Sequence, residues 1–161
     1  MAPTAREVAV AAVAAIVIIA AYEVYSLSTP PGPVTSPVPT GFTVGGKTYV
    51  FNFTATNQSE REAGLMDRKV TAATTMLFAF PSKGLWSFWM YDTNTSLDMI
   101  WLNAAGDSAS VVYLVTSAPP CYDSSKCTVY TPISAANYVI EAKAGFAAAN
   151  DIGIGTVIRF D

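Results

Sequence analysis

The chain has 161 residues, of which 52% are hydrophobic and 13% are charged, about half the charged fraction of an average soluble domain. Its net charge of −3 leaves no basic surface suited to a phosphate backbone, which excludes nucleic acid as a partner. It has no histidine, and so lacks the commonest general base and the commonest metal ligand, which argues against an enzyme.

The first predicted element is a hydrophobic helix over residues 1–27. Residues 8–22 carry no charge and are rich in alanine. As a helix they span about 22 Å, which is shorter than the ~30 Å hydrocarbon core of a membrane. The helix is long enough to cross this core only if it continues to residue 27. Three interpretations stay open: a cleaved signal peptide, a permanent membrane anchor, or a helix that packs on others through its alanines. Residues 8–27 are thus predicted to contact the membrane or neighbouring hydrophobic helices, with the rest of the chain outside the cytoplasm.

Residues 28–41 form a proline-rich linker. Its five prolines remove amide donors and favour extended polyproline II structure. The linker is either a semi-rigid spacer that lifts a domain off a membrane or filament, or a disordered connector.

Residues 42–161 predict a compact, mainly β domain, barrel-like or sandwich-like, with one or two short helices. Residues 48–56 alternate apolar and polar side chains as a half-buried strand does, and Gly45 and Gly46 predict a hairpin turn before them. Ser59 is the predicted N-cap of the first short helix. The remaining predicted strands are residues 75–80, 87–91, 97–102, 109–116, 137–142 and 156–160, and the predicted helices are residues 59–66 and 144–150. Strands at intervals of roughly 8–12 residues with short turns are typical of a sandwich or barrel.

The two cysteines, Cys121 and Cys127, are spaced C-x5-C. A zinc site needs further nitrogen or sulfur ligands, and redox catalysis is typical of C-x-x-C. We therefore predict a disulfide that closes a small surface loop, which requires an oxidising environment or a hyperthermophilic source. The sequence indicates no metal site and no cofactor.

Three N-x-[ST] sequons, at Asn52, Asn57 and Asn94, predict glycosylation. Asn52 lies on the polar face of its predicted strand, and the other two lie in predicted turns. Glycans at these positions leave the core undisturbed, which agrees with a domain outside the cytoplasm.

Four motifs resemble a known family. They are AGLMDR at residues 63–68, MLFAF at 76–80, FWMYDT at 88–93 and LDMI at 97–100. Their order and spacing resemble domain-of-unknown-function family 192, small bacterial and archaeal domains that are often exported or membrane-tethered and typically contain GLM-x-R, GMLF-x-F and FWM-x-NT-x-x-PLD. Later family motifs, Pro-Cys, Y-V-L-E and G-D-x-V, are matched at residues 120–121, 138–141 and 155–157. The resemblance implies a small, mostly β fold and no established activity.

The first candidate site is the carboxylate pair Asp92 and Asp98. Such a pair is typical of acid–base catalysis or cation binding, but no third acid or histidine lies at motif spacing. We therefore favour a turn at Asp92, where the family has asparagine, and a structural ion pair between Asp98 and Arg68 or Arg61. No catalytic residue is predicted.

The second candidate is the aromatic segment. Trp89 and Tyr91 alternate with Phe88 and Met90, so one face can be buried while the other meets a partner. A sugar-binding patch including Trp86 and Trp101 is an alternative to core packing. The predicted binding residues are Trp89, Tyr91, Asp98 and Arg68.

Together these features predict a non-enzymatic domain at the membrane or cell surface, serving as an interaction or structural subunit of an assembly with protein partners or with its own copies. The alternative is a singly anchored envelope protein that binds an unknown ligand. A carboxylate-dependent hydrolase is the third hypothesis.

Overall fold

The structure is a computed structural model that describes residues 37–161. The predicted hydrophobic helix at residues 1–27 and most of the linker lie outside the described residues, so the three interpretations of that segment stay predictions. Within residues 37–161, no helix has the length and apolar character needed to cross a membrane.

The described residues contain eight strands and two short helices, which confirms the predicted mainly β fold. In chain order they are β1 (Gly41–Val44), β2 (Lys47–Val50), β3 (Phe53–Ala55), α1 (Gln58–Ala63), β4 (Thr75–Gly84), β5 (Leu97–Ala105), β6 (Ser108–Ala118), β7 (Ala136–Lys143), α2 (Phe146–Ala149) and β8 (Val157–Phe160).

The strands form one curled sheet in the order β2-β1-β8-β6-β5-β7-β4-β3. All neighbouring strands are antiparallel except β3 and β4, which are parallel. The two outermost strands, β2 and β3, are separated along the chain by only Phe51 and Asn52. Thr75 of β4 bonds across this junction: its Oγ1 donates to the Val50 carbonyl at 2.8 Å, and its amide donates to Asn52 Oδ1 at 2.8 Å. The curl thus brings the ends of the sheet together, as in a barrel.

The hairpin between β1 and β2 follows the prediction. Val44 pairs with Lys47, and the two residues between them, Gly45 and Gly46, have φ of +56° and +75°. A two-residue type I′ turn requires positive φ at both positions, which glycine adopts without strain.

Apolar side chains cover both faces of the central strands. In β5, Ile100 and Leu102 lie in one core, while Met99 and Trp101 lie in the other, and none of the four is exposed to solvent. The first core also contains Phe42, Phe51, Leu77, Ile140, Phe146 and Ile158. The second core also contains Leu65, Met76, Phe78, Phe80, Met90 and Val139. Burial on two faces explains why residues 99–102 of β5 form a continuous apolar run rather than an alternating one.

Three local predictions were wrong in detail. The predicted strand at residues 48–56 is divided into β2 and β3, because its halves pair with different partners. Residues 87–91 form only isolated bridges. The N-cap of α1 is Asn57 rather than Ser59: Asn57 Oδ1 accepts from the Glu60 amide at 3.0 Å, and Glu60 Oε2 accepts from the Asn57 amide at 3.3 Å, forming a capping box.

Candidate ligand-binding site

Residues 86–93 form one wall of a pocket and are held from behind by the segment that contains the disulfide. Phe88 and Tyr130 exchange two main-chain hydrogen bonds, of 2.9 and 2.8 Å. The Cys121 amide donates to the Met90 carbonyl at 3.2 Å. Cys121 and Cys127 are joined, as predicted, with their Cα atoms 5.6 Å apart. The aromatic wall is therefore fixed by a cross-linked loop rather than by a regular sheet.

The pocket has a volume of about 400 Å³ and lies between this wall, β4, α1 and the turn after α1. Six aromatic rings contribute to its lining: Phe78, Phe80, Trp86, Phe88, Trp89 and Tyr91. The polar side chains in the lining include Arg61, Glu62, Thr93 and Glu141. A concave, mostly apolar site with a few polar groups is the usual form of a small-ligand site.

The inner rings are locked by their contacts. Trp86 stacks on Phe80 with ring centroids 4.3 Å apart and planes 5° apart, and Phe88 meets Phe78 edge-on at 4.8 Å. Trp101 Nε1 donates to the Trp86 carbonyl at 2.8 Å. A Cβ at Gly84 would lie 2.8 Å from the indole of Trp86, so only glycine permits this close approach. The pocket is preformed.

Glu141 is the one acid that reaches this pocket from inside the sheet. It lies on β7 directly between Met76 of β4 and Met99 of β5, and its exposed fraction is 4%. Burial alone raises the pKa of its carboxyl to about 8. Within residues 37–161, no hydrogen bond or ion pair reaches this carboxyl group.

A second buried polar group also lacks a partner. Trp86 is a lining residue of the same pocket, and its buried Nε1 has no acceptor among the described residues. Buried polar groups are nearly always hydrogen-bonded, so this donor and the Glu141 carboxyl at the pocket are what a ligand could complete.

Arg61 is held against the pocket wall. Its Nη1 donates to the Ala79 carbonyl at 3.0 Å, and its guanidinium carbon lies 5.2 Å from the centre of the Phe80 ring. Partial burial lowers the pKa of Arg61, and the charge of neighbouring Glu60 offsets part of this effect.

The motifs that carry the family resemblance meet at this pocket. Leu65, Phe78, Phe88, Thr93 and Glu141 come from four separate stretches of those motifs, and all line it. The model of domain-of-unknown-function family 192, described as an uncharacterised ACR, matches residues 42–160. The chain belongs to this family. No curated protein matches the chain.

Two solved structures share the fold of this family member. A candidate transcription regulator from Sinorhizobium meliloti 1021 is 23% identical with a TM-score of 0.62, and the match covers 78% of this chain and 98% of that one. A protein of unknown function from Novosphingobium aromaticivorans DSM 12444 is 23% identical with a TM-score of 0.60, and the match covers 81% and 93%. At this identity the similarity concerns the fold alone.

Two of the four binding residues predicted from the sequence line the pocket. Trp89, 41% exposed, and Tyr91 lie with their rings 5.4 Å apart, while Met90 between them is buried. Arg68 and Asp98 are not part of the lining. The aromatic wall was thus found from the sequence, whereas its charged partner was not.

The predicted ion pair between Asp98 and Arg68 was wrong. Asp98 is fully buried, and its two carboxylate oxygens accept from the Ser117 and Ala147 amides, each at 2.9 Å. Arg68 Nε donates to the Gly64 carbonyl at 3.1 Å, and its guanidinium lies 4.4 Å from the centre of the Phe53 ring. Main-chain amides satisfy the buried carboxylate without the cost of burying a guanidinium beside it.

Asp92 is a turn residue, as favoured from the sequence. Its φ is +47°, its amide donates to the Cys121 carbonyl at 2.9 Å, and its carbonyl accepts from the Asp67 amide at 2.9 Å. Its carboxylate is the main reason that the pKa of Tyr91 is raised. Because Asp98 is bound to the main chain in the interior, the two acids do not form the solvated pair that the hydrolase hypothesis requires.

The described residues contain no cluster of acids, cysteines or histidines able to hold a metal ion. The three sequon asparagines differ in environment: Asn94 is exposed in a turn, Asn57 Oδ1 caps α1, and Asn52 Oδ1 bonds to Thr75. Their glycosylation stays a prediction.

Proposed function

We propose that this protein is a non-enzymatic binding domain, presented outside the cytoplasm, whose aromatic pocket accommodates a small organic group. The observation that carries the proposal is the carboxyl of Glu141, which lines that pocket and has no hydrogen-bond or ion-pair partner among the described residues. Burying a polar group without a partner costs free energy, and a ligand that pairs with it recovers part of that cost. Among the sequence hypotheses, this favours the envelope protein that binds a ligand.

A location outside the cytoplasm is supported by the Cys121–Cys127 disulfide, because such bonds persist in oxidising compartments. The apolar segment at residues 8–27 supplies the proposed attachment to the membrane or cell surface. The three sequons are consistent with the same location.

A role as an assembly subunit is the second proposal. It is supported by the alanine-rich residues 8–27 and by large apolar side chains that remain exposed in the folded domain. Val50, Ile133 and Ile154 are 67%, 84% and 72% exposed. Such side chains suit contact with protein partners or with other copies of the chain.

The pocket is tested by saturation-transfer NMR on the full chain in detergent micelles, with benzyl alcohol, benzoate and benzylamine as probes. We expect protein-dependent transfer to at least one probe. Trp89→Ala should weaken it, because Trp89 lines the pocket, and Tyr122→Ala should not, because Tyr122 is an exposed aromatic residue outside the lining. Absence of transfer to all three probes, or equal loss in both variants, contradicts the proposal.

A further inference from the structure

We infer that the pocket selects a cationic amine, whose ammonium group pairs with the Glu141 carboxylate among the surrounding aromatic rings. This inference rests on the proposed binding function and specifies the chemical class of the ligand. The shared chemistry is the ammonium group, whether it belongs to a free amine or to a lysine side chain.

The first argument is the uncompensated acid. Glu141 faces Met76 and Met99 on its two neighbouring strands. Neither methionine side chain has a hydrogen-bond donor or a positive charge that could stabilise a carboxylate. A buried carboxyl in such surroundings either binds a proton or pairs with a cation. The pocket leaves space for the cation beside it.

The second argument is the aromatic lining. The faces of Trp, Tyr and Phe rings carry negative potential and attract ammonium groups, most strongly where water is excluded. Trp86, Trp89 and Tyr91 line the pocket together with Glu141, and Glu62 adds a second carboxylate to the lining. An anionic ligand meets repulsion from Glu62 and cannot form an ion pair with Glu141.

Arg61 defines the competing possibility. It lines the same pocket, and a cation there favours an anionic ligand. Its guanidinium, however, lies over Phe80 and donates to the Ala79 carbonyl, both part of β4 at the pocket wall. The unpaired acid, rather than this anchored cation, therefore sets the charge of the ligand.

Proton balance gives the inference a distinct signature. Burial raises the pKa of Glu141 to about 8, so the carboxyl of the free protein is mostly protonated at pH 7. When an ammonium ion binds, Glu141 loses that proton to the solvent and the N–H⁺ donates to the carboxylate. Close to one proton is released per amine bound, whereas a neutral or anionic ligand releases none.

The experiment is isothermal titration calorimetry of the full chain in detergent at pH 7, repeated in two buffers with different protonation enthalpies to count released protons. The probes are benzylamine, Nα-acetyl-lysine methylamide, benzyl alcohol and benzoate. We expect an amine to bind at least about tenfold more tightly than the alcohol or benzoate. Glu141→Gln should remove this preference and the proton release, whereas Asp107→Asn, which alters an exposed carboxylate outside the lining, should change affinity less than about threefold.

The outcomes separate the two proposals. Tighter binding of benzoate, or equal binding of the alcohol and the amines, overturns the amine inference and leaves the binding function standing. Amine binding that releases no proton and is unchanged in Glu141→Gln also overturns it. Failure of all four probes to bind contradicts the binding function itself. The relative affinity of the two amines then distinguishes a free amine from a lysine side chain as the source.

Discussion

At the scale of single residues, two buried acids on neighbouring strands show how local donors decide the role of a carboxylate. Asp98 of β5 receives a main-chain amide at each oxygen, at 2.9 Å, and is a structural residue. Glu141 of β7 lies between two methionines and receives none from the described residues. Equal burial thus gives one stabilised carboxylate and one that awaits a partner.

The raised pKa of Glu141 predicts a pH-dependent stability. Its carboxyl titrates at about 8 in the folded protein against a reference value of 4.5, so the folded state holds the extra proton between these pH values. The contribution of this group to the free energy of unfolding is fully present below pH 4.5. It falls by roughly 5 kcal/mol in total as the pH rises to about 8. We compare the stability of Glu141→Gln with that of wild type at each pH. We expect this difference to favour the variant by several kcal/mol more at pH 8.5 than at pH 5.

Chemical denaturation of both proteins at the two pH values measures this difference. Arg61, Glu62 and Tyr91 also line the pocket and are unchanged by the substitution, so their contributions to stability cancel to first order in the comparison. A stability difference that is constant between pH 5 and 8.5 contradicts the prediction.

Asp98 gives a contrasting prediction. In Asp98→Asn, the side-chain oxygen can still accept from one of the two main-chain amides, of Ser117 or Ala147. The side-chain NH2 group then faces the other amide, so that two buried donors lack an acceptor. We expect the free energy of unfolding to fall by about 2 kcal/mol. This loss should be nearly the same with and without the pocket probes. Asp107→Asn, an exposed acid in the turn before β6, is the matched control and should change stability by less than about 0.5 kcal/mol. Equal effects of the two substitutions would show that the amide bonds to Asp98 contribute nothing.

At the scale of elements, the disulfide loop supports the pocket wall. Residues 88, 90 and 92 bond to Tyr130 and Cys121, so the Cys121–Cys127 bridge fixes the segment against which the aromatic wall lies. We expect Cys121→Ser with Cys127→Ser to reduce the free energy of unfolding by at most about 2 kcal/mol, because the closed loop is short. The same variant should bind the pocket probes more weakly.

Urea unfolding and probe titration measure these two effects separately. Reduction of the wild-type disulfide should reproduce both, since it breaks the same bond without changing the sequence. Unchanged probe affinity in the double variant contradicts a supporting role for the loop.

The elements also show which signals in the sequence were sufficient. β5 was predicted at residues 97–102 and found at Leu97–Ala105, because its apolar run has a single structural explanation. Residues 87–91 have the same alternation of side chains as a strand, yet they bond to a cross-linked loop instead of a sheet neighbour. Alternation reports which face is buried, and does not report the hydrogen-bond partner.

The sequence predicted the aromatic part of the candidate site but not its buried acid. Trp89 was identified by its place on the outward face of an aromatic segment, and it lines the pocket. Glu141 carried a weaker signal, a single acid within the apolar run of residues 138–142. Its meaning depends on Met76 and Met99, which are distant in sequence and meet it only through the strand order of the sheet. That order was not deducible from local patterns.

At the scale of the whole molecule, the predicted organisation joins a hydrophobic helix, a proline-rich linker and the β domain. The described residues 37–161 contain two hydrophobic cores. We therefore expect the predicted helix to serve assembly or attachment, and the β domain to serve binding.

This division predicts the effect of truncation. Removal of residues 1–28 should give a soluble monomer that retains the stability and probe affinity of the full chain, because the two cores lie within the β domain. Under the assembly proposal, the full chain should form ordered oligomers, since seven alanines within residues 8–22 allow helices to pack closely. Sedimentation velocity and electron microscopy of both forms measure the difference. A full chain that stays monomeric in detergent contradicts the assembly role and leaves the single membrane anchor. A truncated chain that still oligomerises would show that the exposed apolar side chains of the β domain form the contact instead.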